Sequence, residues 1–383
     1  MKNLPIIRER RGKNMLGQRV SAEGPVEEFI LFYRSSSGAH DVNAFPKVSI
    51  FWLNYNSIGF KDIVLRSLES VCMLKYPNLE LIAVDNGSKD GSYEIIKDFL
   101  GKADINAKLV RLKKNLGFTG GNNVAYRLMD PNAKYFVLLN NDAIAYQESL
   151  SKLVGLMEAD ALLAAAQGVI LNYYSGLVDS AGGFVDMMLR AHMAYQGLPR
   201  TLVKNPLSVS YADGAFSIYR VSAVKHALGC DDKIFDNITL AYYDDTFLGL
   251  KLWNKGYKVK SFPFVAAKHI RGFTSKKLRP MYAYLVTRNW VALVLSSNTK
   301  FKPLVAILVL KSLIVRSIRH IGSPELIKDY VMAVSSGVKI GWTKRSRGEG
   351  VDVYRAKILY LPPKQLILGL ISRRFSLKSV RVY

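Results

Sequence analysis

The chain has 383 residues, a net charge of +24, and 49% hydrophobic against 22% charged side chains. One hydrophobic core tends to stop growing near roughly 250–300 residues, so a principal domain with an appendage is expected. The composition also excludes a wholly disordered chain, a collagen-like repeat and a disulfide scaffold. The charge is uneven: residues 46–270 sum to only +4, whereas residues 271–383 hold 22 basic and 4 acidic side chains, or +18. That asymmetry points to chemistry in the middle and attachment to a polyanion or an anionic lipid surface at the C-terminal end.

The two cysteines, Cys72 and Cys230, are too few for a disulfide framework and lack metal-ligand spacing, so a reducing compartment is expected. The opening MKNLPIIRERRGKNMLGQ lacks the ~7–15-residue apolar run of a signal peptide and reads as a basic arm. Residues 1–45 show no sustained period and read as a partly flexible lead-in with one short helix over 26–32.

From residue 46 the pattern is regular. VSIFWL (48–53) is apolar and β-rich and runs into Asn54, Tyr55 and Asn56, as a buried parallel strand ending in a loop does. Residues 60–73 carry apolar side chains at helical spacing, and LELIAVDNGS (79–88) is a second strand and loop. Helix SYEIIKDFL, strand AKLVRL (107–112), helix GNNVAYRLM and strand YFVLLNNDA (135–143) follow. Strand and helix in alternation predict an open, doubly wound α/β sheet, whose ligands sit beyond the carboxyl ends of the strands.

The polar residues at those ends are the candidate site. Asp85, Asn86 and Gly87 close the second strand; a carboxylate there accepts hydrogen bonds from a base or ribose, and an Asx turn capping the next helix is the alternative. The third loop, 115–123, contains Asn115, Gly117, Gly120 and Asn123. It either presents backbone N–H groups to an anion at a helix N-terminus or serves turn geometry alone. It matches neither the P-loop nor the dinucleotide fingerprint. The fourth strand ends in Asn140, Asn141 and Asp142, the last a hard oxygen ligand suited to a divalent cation shared with phosphate oxygens, or else a helix cap. Asp244 and Asp245 precede the apolar-periodic TFLGLKLWNKG, as caps or as a base for a hydroxyl nucleophile. His269, after the strand-like YKVKSFPFVAAK, is either a metal-shell partner for Asp142 or an ordinary core or surface histidine.

In order and spacing these elements resemble the family-two glycosyltransferases of the GT-A fold, over about 225 residues. VSIFWLNYN resembles that family's opening strand, VDNGSKDGS its nucleotide-contacting aspartate motif, and NLGFTGGNN the asparagine-glycine loop of its rhamnosyltransferase-like branch. The resemblance implies that Asn54, Tyr55 and Asp85 hold base and ribose, that Asn115 and Gly117 shape the nucleotide pocket, and that Asp142 and His269 bind Mg2+ or Mn2+. Asn-Asn-Asp stands where the family has Asp-X-Asp, so one carboxylate is missing. YADGAFSIYR resembles the strand bordering the donor sugar, which sets Asp213 and Gly214 beside it. Asp244 replaces the glutamate of the family's Glu-Asp pair, and Asp245 matches the aspartate that serves as base. The implied activity is inverting transfer of a sugar from a nucleotide-diphosphate donor to an acceptor hydroxyl.

The C-terminal third reads as a helical, basic and amphipathic extension. MYAYLVTRNWVALVL (281–295) and PLVAILVLKSLIVRSIRHIG (303–322) are apolar, with Ser312, Arg316, Arg319 and His320 along one helical face. This suits a helix lying in a membrane interface with its cations at lipid phosphates; a buried packing helix is the alternative. GWTKRSRGEG and LILGLISRRFSLKSVRVY would reinforce such binding. The expected organisation is a lead-in over 1–45, a GT-A catalytic domain over 46–272 and a membrane-association or acceptor region over 273–383. The expected location is cytoplasmic, peripheral on the inner face of the cell membrane, with a saccharide or lipid-linked acceptor and no nucleic acid. Competing readings are a nonenzymatic basic nucleic-acid binder, a sugar nucleotidyltransferase and an inactive transferase homologue. The apolar density of the tail argues against the first, and the absence of a glycine-rich, arginine-bearing loop after the first strand argues against the second.

Overall fold

The computed structural model describes residues 15–21, 27–33, 44–271, 279–319 and 324–360. In chain order the first strands and helices are β1 (Met15–Ser21), β2 (Glu27–Tyr33), β3 (Val48–Asn54), α1 (Lys61–Cys72), β4 (Leu79–Asp85), α2 (Ser92–Lys102), β5 (Ala107–Arg111), α3 (Gly117–Leu128) and β6 (Tyr135–Asn140). Then come β7 (Ala143–Ala145), α4 (Ser149–Ala159), β8 (Leu163–Asn172), β9 (Val178–Ser180), β10 (Gly183–Asp186), β11 (Ala191–Met193), β12 (Leu207–Ser208) and β13 (Phe216–Arg220). The chain continues through α5 (Val221–Leu228), α6 (Asp244–Asn254), β14 (Lys258–His269), α7 (Arg279–Ser296), α8 (Lys302–Arg319), α9 (Pro324–Ser346) and β15 (Ile358–Leu359).

The main sheet runs β1-β2-β5-β4-β3-β6-β13-β8-β14-β12, with β7 on β14 and β9 on β8. Its wound centre, β5-β4-β3-β6, is parallel; β13 runs antiparallel between β6 and β8. The α/β architecture expected from the sequence is therefore present. Strand β3 is buried along nearly its whole length, which is why it reads as a continuous apolar run instead of an alternation. Helices α1 and α2 bury Val64, Leu68, Ile96 and Leu100 on one face of the sheet, and α3 buries Val124, Ala125 and Tyr126 on the other. The winding direction reverses between β3 and β6, and a crevice opens beyond the strand ends at such a reversal.

Three expectations change. Residues 27–33 are a strand, not a helix: β2 pairs antiparallel with β1 and with β5, and its Ile30 and Tyr33 are buried in the core, as apolar and aromatic side chains in a strand favour. Helix α3 starts at Gly117, so most of the glycine-asparagine stretch is already helical. In α8 the described part of the cationic stripe faces inward. The Arg316 guanidinium lies 4.7 Å from the centre of the Tyr330 ring on α9, and Ser312 hydrogen-bonds the same tyrosine. The outward face is apolar, with Ile307, Leu310, Ile314 and Ile318 each more than half exposed. The Arg319 side chain and His320 lie outside the described residues, as do residues 1–14 and 361–383.

Helices α7 and α9 pack tightly because Gly337 on α9 has no side chain where a Cβ would meet the Arg288 carbonyl oxygen at 2.4 Å. A third apolar cluster joins Leu293 and Val294 of α7 to Tyr243 and Phe247 around the start of α6. Among the described residues no helix is long and apolar enough to cross a membrane.

Candidate active site

The crevice between β3 and β6 is organised around one buried amide. Asn54 Nδ2 donates to Asp85 Oδ1 (2.8 Å), Ser92 Oγ (3.1 Å) and Ser88 Oγ (3.3 Å), while its Oδ1 accepts from Ser57 Oγ and from Asn141 Nδ2 at 3.2 Å. Asn54 is thus the hub that ties the ends of β3, β4 and β6 together, and its polar atoms are spent on that task. Tyr55, beside it, is half-buried. Asp85 is fully buried and also accepts from the Ser88 backbone N–H.

The glycine-asparagine segment forms a brace. Asn86 donates to Asn115 Oδ1 and to the Gly117 carbonyl, and accepts from Leu116 N–H. Asn115 Oδ1 accepts from Gly117 N–H, and Leu240 O accepts from Thr119 N–H. With these amides engaged, turn geometry outweighs the anion-cradle reading. Gly117 has φ +75°, and a Cβ there would stand 2.7 Å from Leu240 O, so only glycine fits. Gly87 (φ +76°) turns the chain after β4, and Gly120 is buried in the first turns of α3. Asn123 faces away from the crevice: its Oδ1 accepts from Ile234 and Phe235 N–H, and its Nδ2 donates to Phe235 O and Asn237 Oδ1. Asn123→Ala would orphan two buried backbone donors at about 1–3 kcal/mol each. A clear drop in melting temperature is expected, and an unchanged melt would remove Asn123 as the pin of residues 234–237.

On the β6 side the carboxylates and bases form a continuous chain. Asp142 Oδ1 lies 3.0 Å from His269 Nε2, and His269 Nδ1 lies 2.9 Å from Asp179 Oδ2. Arg271 Nε donates to both Asp179 oxygens at 2.7 and 2.8 Å, and its Nη2 donates to Asp213 Oδ2 at 2.7 Å. The pairing of β14 with β7, His269 opposite Ala143, sets the histidine beside Asp142. Burial disfavours the charged imidazole, but Asp142 and Asp179 outweigh it and raise the His269 pKa to about 9. Asp213 is fixed further by the Gln167 amide oxygen, which accepts from its backbone N–H.

These donors fit a divalent cation. Two ligand atoms at about 2.1 Å from one ion and at right angles to each other stand about 3.0 Å apart, which is the Asp142–His269 separation. Asp179, on the other ring nitrogen, stands where a carboxylate would orient that histidine if it held a metal. Among the described residues no third metal-binding side chain joins the pair, so the remaining positions would fall to phosphate oxygens and water, as is usual for Mg2+.

The last part of the site is the start of α6. Asp245 is half-buried and accepts from the Thr246 N–H at 2.7 Å and from the Gly214 N–H. Asp244 is 5% exposed and lines an internal cavity with Lys251, Phe247 and Lys344. Burial raises the pKa of both, Asp244 to about 6; Asp213 adds to both shifts, and Asp244 adds to that of Asp245. Of the two, Asp245 is partly exposed and bonds the Gly214 N–H beside Asp213, whereas Asp244 is buried.

Residues 49–228 match the family model "Glycosyl transferase family 2". That stretch, a little under half of the chain, is similar to the family 2 glycosyltransferases. An uncharacterized glycosyltransferase of Haemophilus influenzae is 30% identical over 113 residues, which is 30% of this chain and 33% of that protein. The match therefore spans about a third of that relative's length. Among solved structures, the mannosyltransferase PcManGT from Pyrobaculum calidifontis, in complex with GDP-Man and Mn2+, is 17% identical with a TM-score of 0.48, over 81% of this chain and 90% of that one. TarS of S. aureus is 16% identical with a TM-score of 0.44, over 72% of this chain and 44% of that one. The family model does not single out the rhamnosyltransferase-like branch.

The structure links Asn54, Asp85, Asn141, Asp142, Asp213, Gly214, Asp245 and His269 in one network, and sets Asn123 and Asp244 to face other surroundings. Sequence reading missed Asp179 and Arg271. Asp179 sits alone in the small-residue run SGLVDSAGG, and Arg271 follows His269 by two positions; an acid stranded among apolar residues was the one available signal.

Proposed function

We propose that the chain is an inverting glycosyltransferase that moves a sugar from a nucleoside-diphosphate donor to an acceptor hydroxyl, with Asp245 as general base. One observation carries the reading: an unbroken chain of contacts runs from Asp85 through Asn54 and Asn141 to Asp142, His269, Asp179, Arg271 and Asp213, and Gly214, next to Asp213, hydrogen-bonds Asp245. The donor-side residues and the base thus share one rim. The acceptor oxygen attacks the anomeric carbon, the bond to the diphosphate breaks with its electron pair leaving on phosphate oxygen, and Asp245 takes the hydroxyl proton. A single displacement needs one base and no covalent nucleophile, and it inverts the anomeric centre. Asp142 and His269 would hold Mg2+ or Mn2+, which when bound neutralises charge on the leaving diphosphate. Asp213, held in place by the Arg271 guanidinium, borders the sugar. Incubating the protein with nucleotide sugars and either cation, followed by thermal shift and product analysis, tests the reading; a chain stabilised by no nucleotide sugar would overturn it.

We further propose a cytoplasmic-face membrane location and a lipid-linked saccharide acceptor. Support comes from the outward apolar ridge of α8 together with the +18 charge of residues 271–383. An apolar ridge immersed in the interface, with surrounding cations worth about 1 kcal/mol each near anionic lipid, gives salt-sensitive binding. The double variant Leu310→Glu/Ile314→Glu should lose most co-sedimentation with anionic liposomes at low salt, and retention equal to the unaltered chain would rule the ridge out.

A further inference from the structure

We propose that Arg288 and Asn289, on α7 in the basic C-terminal third, are positioning residues for the Asp245 base. The inference rests on the transferase reading above and adds to it a part of the chain that the family match does not reach.

The segment leading into α6 has an uncommon backbone. Leu240, Tyr242 and Tyr243 have φ of +60°, +67° and +64°, a left-handed region that residues with side chains seldom occupy and that persists only where the surroundings impose it. Asp244 and Asp245 follow at once, so the course of this segment sets where the base carboxylate emerges. From the short 3-10 turn Asn237–Thr239 to the first helical bond of α6, Phe247 N–H to Tyr243 O, several of its carbonyl groups take their partners from α7. Arg288 Nη2 donates to Ile238 O at 2.8 Å and to Thr239 O at 2.7 Å. Asn289 Nδ2 donates to Thr239 O (3.0 Å), Ala241 O (2.9 Å) and Tyr242 O (2.8 Å).

The pair is built for this purpose. Asn289 is fully buried and Arg288 is 6% exposed. Arg288 Nε donates to Asn289 Oδ1 at 3.0 Å, which orients the amide so that its NH2 faces the carbonyls. The Tyr282 ring of α7 meets Tyr242 edge-on with centres 4.8 Å apart. From the opposite side α3 grips the same segment through Thr119 N–H on Leu240 O. The loop is therefore clamped between the helix that follows the glycine-asparagine brace and a helix from the C-terminal third. Apolar packing of Leu293 and Val294 already fastens α7 to the α6 start; the polar pair adds a hold on the carbonyls of the residues just before the base.

The test compares full-length Asn289→Ala with Val291→Ala, which removes buried methyl groups from the face of α7 against Gly337 of α9. Misplacing a reacting group by about 1 Å can cost on the order of 10²-fold. Asn289→Ala is therefore expected to lower kcat by about 10–100-fold with donor KM little changed, and to speed hydrogen exchange of the amides from Ala241 to Thr246. Val291→Ala should lower the melting temperature while kcat stays near that of the unaltered chain. A kcat for Asn289→Ala no lower than that of Val291→Ala overturns the proposal, as does unchanged exchange in the loop. If the unaltered chain transfers no sugar, the transferase reading fails by itself, and the exchange comparison still decides whether the clamp holds the loop.

Discussion

Asp245→Asn is expected to lower sugar transfer by about 10²–10⁴-fold, the usual worth of a general base, while the affinity for the nucleoside diphosphate stays close to that of the unaltered chain. The substitution keeps the size of the side chain and much of the hydrogen bonding at the α6 start, so the loss reads the proton acceptor and little else. Turnover near that of the unaltered chain would exclude Asp245 as the base. The pH profile gives a second check. Burial, then the neighbouring Asp244 and Asp213, raise the Asp245 pKa above the ordinary carboxylate range. A base works only when ionised, so activity should fall as pH drops through this raised pKa, at a higher pH than a free aspartate would give. Asp244→Asn removes one of the charges that raise it, and should move that acid limb to lower pH. A limb that stays in place would separate the two carboxylates.

The second large effect is expected at the metal pair. Replacing Asp142 with alanine takes one of two facing donors from the cation and leaves His269 with Asp179 alone. Removing an outer carboxylate such as Asp179 typically costs roughly 10–100-fold in metal affinity, and removing a direct ligand should cost more. Calorimetric titration of Mn2+ in the presence of a nucleoside diphosphate should therefore show a large loss for Asp142→Ala, with far less change in nucleotide binding without the cation. An unchanged Mn2+ titration would remove Asp142 from the cation site. Because the readout is binding, it holds whether or not the right acceptor is supplied.

The parts of the fold legible in the sequence were those written by local pattern. VSIFWL, LELIAVD and YFVLLN could only be buried strands, and the helices between them carried apolar residues at the right spacing, so the wound centre of the sheet followed. The hairpin over 15–33 was harder to see. The pairing of EEFILFY with β5 is a contact across more than 70 residues, Phe32 opposite Lys108, and a short apolar run does not say which partner it will find. The orientation of α8 failed for a similar reason: a stripe of cations reads alike whether it meets lipid phosphate or, as with Arg316, the ring of Tyr330.

In the candidate site, strand-end residues were legible because a doubly wound sheet sets ligands beyond its strand ends, and the structure joins several of them by hydrogen bonds. What a side chain does there was not predictable from position. Asn54 at the end of β3 and Asn123 in α3 are both buried amides, yet one joins three strand ends and the other pins residues 234–237. Asp179 and Arg271 escaped notice because their meaning lies in a pairing of residues 92 positions apart. Asn289 gave no local sign at all, since its carbonyl partners precede it by 47 to 50 residues.

The family match ends at residue 228, ahead of Asp245, His269, Arg271 and Asn289. On the proposed reading, the base and half of the cation pair therefore lie beyond the stretch that the family model matches, while the strand-end residues before Asp142 and Asp142 itself fall inside it.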